Sequence, residues 1–149
     1  MQWRELETEP CSLARALAVV GDRWTLLVLR EAFLKVRRFD DFQRRLGIAR
    51  RVLAQRLGGL VADGVMEKVV YQERPIRHEY RLTEKGLALH PVVLSLVHWG
   101  DAHYAGATGP PVLHRHTVCG HDFRSVLTCS VCGEPVDARA VEARPGVPS

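Results

Sequence analysis

At 149 residues, 46% hydrophobic and 26% charged, with a formal net charge of +4, the chain has room for one cored domain and a small appendage. Its composition is that of an ordinary soluble protein, which excludes a disordered, collagenous or mucin-like chain. No apolar run approaches the roughly 18 residues of a membrane-spanning helix, and the start Met1-Gln2-Trp3-Arg4-Glu5-Leu6-Glu7 is too charged for a secretory signal, so a cytoplasmic protein is expected. The cysteines, Cys11, Cys119, Cys129 and Cys132, lack the even spacing of a secreted disulfide framework and are expected to be reduced or metal-bound.

Leu13, Leu17 and Val20 recur at helical spacing behind Ser12, a residue that can cap the first turn, and predict a helix over about 12–20, interrupted by Gly21. Asp22 is a good cap for a second helix, with Trp24, Leu27 and Val28 on its core face. After the short connection Lys35-Val36-Arg37-Arg38, Phe39, Phe42 and Leu46 mark one face of a third helix that begins near Asp40 and ends at Gly47. Val52, Leu53, Leu57 and Leu60 resume the pattern from about Ala49 to Ala62, closed by Asp63-Gly64. Residues 65–71 and 77–82 are rich in β-branched and aromatic types and predict an antiparallel hairpin with its loop around Glu73-Arg74-Pro75-Ile76. Thr83 then caps one long apolar helix to about Tyr104. Ala105 to Pro111 is a breaker-rich linker, residues 112–137 a small Cys/His module, and 138–149 a tail with too little apolar surface to pack.

Two short helices around a tight glycine-containing turn, followed by a hairpin and a helix, are the order of a winged helix-turn-helix, which presents its second helix to a DNA major groove. Between Lys35 and Arg56 lie eight cations and two acids, a local balance of +6 that leaves the rest of the chain net acidic. With Val52, Leu53, Leu57 and Leu60 facing inward, Arg50, Arg51, Gln55 and Arg56 remain outside. Arg50, Arg51 and Gln55 are assigned to bases, because a guanidinium can read guanine and an amide can read adenine with paired hydrogen bonds. Arg56 belongs to the same face, while Lys35, Arg37, Arg38, Arg44, Arg45, Arg74 and Arg77 are assigned to phosphates. A solvated helix face with internal ion pairs is the competing account of such a cluster, and the scarcity of carboxylates argues against it.

The segments Cys11-Ser12-Leu13-Ala14, Gly21-Asp22-Arg23-Trp24-Thr25-Leu26-Leu27, Arg38-Phe39-Asp40-Asp41-Phe42-Gln43, Leu53-Ala54-Gln55-Arg56-Leu57, Asp63-Gly64 and Tyr80-Arg81-Leu82-Thr83-Glu84-Lys85-Gly86 together resemble the HxlR-type winged-helix regulators over residues 10–102. The resemblance implies a homodimeric regulator of MarR-like architecture that binds double-stranded DNA, often as a repressor, and that dimerises through terminal helices. The apolar richness of 83–104 agrees with self-association, and a twofold dimer predicts an inverted-repeat operator. Cys11 matches a cysteine that in some members senses electrophiles or oxidants. A thiol at a helix start feels the positive end of the dipole, but packing is an equally good account of a free cysteine. A small-molecule or oxidant effector is the remaining partner that the resemblance allows.

His116-Thr117-Val118-Cys119-Gly120 and Cys129-Ser130-Val131-Cys132-Gly133 each carry two ligand-type residues separated by two others and followed by glycine, a zinc-knuckle pattern. Two such turns supply four ligands, His116, Cys119, Cys129 and Cys132, for one structural Zn2+, with 122–128 expected as a short hairpin between them. His114 or His121 could replace His116, and Cys129 and Cys132 could instead be a redox pair. A module with so few large apolar residues has little else to fold around. No nucleophile, base and orienting group come together in the sequence, so no enzyme is expected. The competing function is a winged-helix protein-interaction module with a zinc-binding tail.

Overall fold

The computed structural model describes residues 3–8 and 10–146, which fall into two compact units, Met1–Val93 and Leu94–Ser149. The first contains α1 (Trp3–Leu6), α2 (Ser12–Val20), α3 (Arg23–Phe33), α4 (Phe39–Leu46), α5 (Arg50–Ala62), β1 (Met66–Glu73), β2 (Ile76–Leu82) and α6 (Glu84–Leu87). The boundary between the units falls within α7 (His90–Tyr104). No described helix is long and apolar enough to cross a membrane.

Local chemistry explains the helix ends. Asp22 caps α3 as its sequence position requires, its Oδ1 accepting the amides of Trp24 at 2.9 Å and Thr25 at 3.3 Å. The expected Ser12 cap is displaced by one residue: Cys11 occupies the extended cap position of α2, without a side-chain bond, and Ser12 is the first helical residue. Lys35 ends α3 in the left-handed region, φ 69°, where glycine is the usual choice, and the amide of Val36 returns to the Glu31 carbonyl at 3.1 Å. Gly47, φ 61°, closes α4 with its amide on the Gln43 carbonyl at 2.9 Å, and the buried Ile48 pins the turn that leads into α5.

The core forms where α3, α4, α5 and β1 meet. Val28, Leu29, Phe42, Ile48, Leu53, Leu57, Leu60, Val65 and Met66 are all at most 3% exposed. The buried stripe of α3 is Thr25, Val28, Leu29 and Ala32, turned from the expected Trp24, Leu27 and Val28 face; Trp24 and Leu27 stay partly exposed. Leu26, Leu27, Val28 and Leu29 are consecutive large apolar residues, with Trp24 two positions before them, so their spacing alone does not select which of them go inward.

β1 and β2 pair antiparallel from Met66↔Leu82 to Glu73↔Ile76, with an irregularity between Val70 and Gln72 that puts Tyr71 out of register. The Tyr80 amide donates to the Arg37 carbonyl at 2.7 Å, laying the basic α3–α4 connection along the outer edge of β2. The single helix expected over 83–104 is two helices, α6 and α7. Pro91 is the reason: it has no amide hydrogen to give the Leu87 carbonyl, and its ring would crowd that carbonyl, whereas the first turn of a new helix tolerates it. The α6 segment docks on the end of α5. Thr83 Oγ1 donates to the Gly64 carbonyl at 2.6 Å and accepts the Gly86 amide at 3.2 Å, and Lys85 Nζ donates to the Asp63 carbonyl at 2.7 Å. A Cβ at Gly86 would lie 2.1 Å from the Val65 carbonyl oxygen, so only glycine fits there.

In the second unit, β3 (Arg115–His116) and β4 (His121–Asp122) enclose the first Cys/His turn, and a bridge between Thr128 and Pro135 encloses the second. The expected hairpin over 122–128 is therefore corrected: each hairpin surrounds a ligand-type turn, and 123–127 is an irregular connection. None of residues 105–146 is buried. A 3-10 turn, Ala138–Ala140, is capped by Asp137, which accepts the Arg139 amide at 2.7 Å; of the expected tail, residues 147–149 lie outside the described residues.

Candidate nucleic-acid interface

α5 divides cleanly. Leu53, Leu57 and Leu60 are buried, while Arg50, Arg51, Ala54 and Gln55 at its amino-terminal end are exposed, as a helix entering a groove requires. Arg51 and Gln55 lie on adjacent turns, and Arg51 has no ion pair among the described residues. Arg50 is held loosely, its guanidinium 4.7 Å from the Phe39 ring centre and 3.5 Å from Asp40, with both charged groups largely in solvent. Such an exposed pair contributes little and yields readily to a phosphate.

The eleven expected contact residues separate into two kinds. Lys35, Arg37, Arg74 and Arg77 join Arg51 as exposed cations without an ion pair among the described residues, and Gln55 is likewise exposed. Arg38 lies 4.6 Å above the Tyr71 ring, which the strand irregularity has turned toward it, and so ties the start of α4 to the hairpin. Arg44 pairs with Asp41 one helical turn away. Arg45 and Arg56 are engaged in ion pairs within the unit, Arg45 with its side chain still half exposed. Arg56 Nε sits 3.0 Å from Asp22 Oδ1 without hydrogen-bond alignment, clamping α5 to the capped start of α3.

Arg45 reaches back to Glu31, a buried carboxylate that it shares with Arg30. Sequence reasoning did not find Glu31. Burial alone would raise its carboxyl, but hydrogen bonds from Arg45 and Arg30, with their charges, overcome that and hold it below its ordinary value. The pair fixes α4 on α3. An acid two residues before the helix end, directly after Arg30 in an otherwise apolar stretch, was the available signal.

Two open concavities collect these cations. One, of about 430 Å³, is lined by Arg38, Phe39, Asp40, Arg50, Tyr71 and Arg77 among others, and spans α4, α5 and the hairpin. The other, of about 360 Å³, is lined by Lys35, Arg37, Arg38, Arg44 and Arg45 with Asp41 and Glu79. Both are polar and open, the character of surfaces that accept a phosphate backbone rather than enclose a small molecule.

Cys11 is exposed at the start of α2. In the second unit His116 Nδ1 lies 3.6 Å from Cys119 Sγ, and Cys129 is beside Cys132. The backbone amides of Cys132 and Val131, with the Cys132 side chain, hydrogen-bond the Cys129 sulfur and hold its thiol below the ordinary range. No three His, Cys, Asp or Glu side chains among the described residues are grouped as a metal site. A second feature not foreseen is His98 on α7, whose Nδ1 accepts the Ser125 amide at 2.8 Å and lies 2.8 Å from its hydroxyl. Burial, then the neighbouring His114, holds its imidazole below the ordinary value. His98, His114 and Phe123 line a cavity of about 230 Å³.

A helix-turn-helix with a basic antiparallel wing defines the winged-helix class of transcription factors. Within it the chain belongs to the HxlR-like helix-turn-helix family, whose pattern matches residues 19–108. It is 48% identical over 135 residues to Rv3095 of Mycobacterium tuberculosis, an uncharacterized HTH-type transcriptional regulator, covering 91% of this chain and 85% of the relative. It is also similar to the solved structure of PA1607, a candidate transcription factor: TM-score 0.86 and 34% identity over 95% of this chain and 99% of that one. The redox regulator HypR in its reduced form aligns with a TM-score of 0.58 and 33% identity over 62% of this chain and 92% of its own.

Proposed function

We propose that the protein is a sequence-specific regulator of transcription that binds an inverted-repeat operator as a homodimer and represses by occupying it. The observation that carries this is Arg51 beside Gln55 at the entering end of α5, both exposed, flanked by the exposed cations Lys35, Arg37, Arg74 and Arg77, with none of the five cations in an ion pair among the described residues. Arg51 and Gln55 read base edges, Arg50 gives up its weak pair with Asp40, and Arg74 and Arg77 on the wing neutralise phosphates alongside. Arg38 and Arg44 contribute charge from their present contacts, whereas Arg45 and Arg56 mainly hold the reading helices in place.

The dimer reading rests on apolar stripes left in solvent. Val92, Leu96 and Trp99 follow one face of α7 at 49%, 50% and 57% exposure, and Leu13 and Leu17 do the same on α2. Stripes of that kind mark self-association. Fragments of the source genome selected by the purified protein, titrated against scrambled DNA at several salt concentrations, test the proposal. An inverted repeat bound at least about 1,000-fold more tightly than scrambled DNA is expected, with affinity falling steeply as salt rises. Equal binding to both refutes specific readout, and salt-independent association with a protein instead favours the interaction-module alternative.

The exposure of Cys11 supports a further element, control by oxidation. A hydroperoxide would oxidise two Cys11 thiols across the dimer to one disulfide, itself reduced to an alcohol and water. A crosslinked dimer on a non-reducing gel, absent in Cys11→Ser, is the expected result; operator binding unaffected by the oxidant would remove this element and leave the DNA reading intact.

A further inference from the structure

The arginines of the first unit are fixed in two different ways. Arg44 and Arg45 are held by carboxylates, Asp41 and Glu31, which occupy their N–H donors and offset their charge. Arg38 and Arg50 are held by rings, Arg38 at 4.6 Å from the centre of Tyr71 and Arg50 at 4.7 Å from the centre of Phe39. A guanidinium over a ring face keeps its charge and leaves its in-plane N–H fork free for another partner. Arg38 has no ion pair among the described residues, and the pair of Arg50 with Asp40 is long and solvated.

Tyr71 meets Arg38 through the irregularity in the hairpin. Val70 pairs with His78 and Gln72 with Arg77, so Tyr71 is an extra residue on β1. An extra residue breaks the alternation of faces along a strand and re-aims a side chain. The hairpin is fastened to the same connection a second time, by the Tyr80 amide on the Arg37 carbonyl. Arg38 immediately precedes α4 and Arg50 opens α5, so the two ring-held arginines stand at the starts of both helices of the helix-turn-helix. Both line the open hollow of about 430 Å³, which Arg77 of β2 shares. Of the two carboxylates there, Asp41 is already engaged by Arg44.

We propose that Tyr71 is a positioning residue for DNA, its ring presenting Arg38 so that Arg38 and Arg50 take a backbone phosphate in this hollow. This role rests on the protein binding DNA, and it belongs to a residue without charge that lies outside the basic footprint. The phosphate displaces Asp40 from Arg50 and finds both guanidiniums already supported, so less side-chain freedom is lost on binding than at a cation with no ring beneath it.

The test is a double-mutant cycle in the full chain, read as affinity for a scrambled duplex at several salt concentrations, so that base reading does not enter. Arg38→Gln should lower the salt slope by about one. Tyr71→Leu should weaken binding by about 2- to 5-fold, Tyr71→Phe, which keeps the ring, should bind as the unaltered chain does, and Tyr71→Leu should cost nothing further once Arg38→Gln is present. Tyr71→Ile takes the same place in the cycle should Tyr71→Leu not fold. An equal cost with and without Arg38 would make Tyr71 a structural part of the hairpin only, and a loss in Tyr71→Phe as large as in Tyr71→Leu would move the role from the ring to the hydroxyl; either overturns the proposal, as does undiminished binding by Tyr71→Leu. Those outcomes leave the DNA reading standing, whereas an unaltered chain that binds no duplex at low salt sinks both.

Discussion

The two units solve the same problem by different means. Residues 23–66 are organised around side chains removed almost wholly from water, with Phe42, Leu29, Leu53 and Leu57 at 0% exposure. The 112–137 region has no buried side chain and follows a path set by backbone turns and left-handed glycines. Substitution tolerance should therefore follow different rules in each. In the first unit volume and burial decide; in the second, turn geometry does.

Leu57→Ala puts the comparison at greatest risk. Removal of this side chain from the centre of the core should cost about 2–5 kcal/mol in thermal or denaturant unfolding, while Leu127→Ala, 75% exposed, should change it by less than about 0.5 kcal/mol. Equal losses would show that the second unit has a core after all. Gly86→Ala comes next. Its Cβ would collide with the Val65 carbonyl, part of the backbone and unable to swing aside, and should cost about 1–3 kcal/mol in the same measurement.

Glu31 sharpens the contrast through pH. Its carboxyl ionises more readily folded than unfolded, so its contribution to stability is fully present above the unfolded value near 4.5 and is lost as pH falls through the lower folded value. Unfolding midpoints measured from pH 6 downward should drop in that acid window for the unaltered protein, and the drop should be shallower in Glu31→Gln. Parallel curves would mean that the pair with Arg45 and Arg30 does not distinguish folded from unfolded chain.

Much of the first unit is legible from sequence because its signals are local and redundant. Asp22 caps where a cap was needed, Gly47 and Gly64 end their helices, and Leu53, Leu57 and Leu60 keep a single inward stripe. The misreadings share a cause. α3 has four consecutive large apolar residues, Leu26, Leu27, Val28 and Leu29, so its inward face is set by neighbours; the break before α7 depends on one proline; and Glu31 gains one of its two partners from Arg45, fourteen positions away. For the candidate interface, sequence places positive charge on α4, α5 and the hairpin but does not tell which arginines are already paired. Arg45 and Arg51 look alike in sequence and differ only in that one faces Glu31. In the second unit the spacing of the ligand-type residues was visible, while the hairpins around each turn were not, because strands of two residues leave no periodicity to read.

That distinction between occupied and unoccupied arginines yields the subtlest prediction. Arg51→Ala removes an exposed cation with no ion pair among the described residues, so the melting midpoint should stay within measurement error while affinity for the selected operator falls by about 1–3 kcal/mol and discrimination relaxes at one base position. Arg74→Ala, at the hairpin turn, should weaken operator and scrambled DNA alike and flatten the salt dependence by about one unit of slope. Arg45→Ala should do the reverse of Arg51→Ala, lowering stability because Glu31 loses a partner, with affinity following only as α4 and α5 lose their seating. Melting and operator titration of the three variants side by side would show whether charge on this surface is divided between holding the fold and holding DNA; an Arg51→Ala variant that melts early but binds normally would invert the assignment.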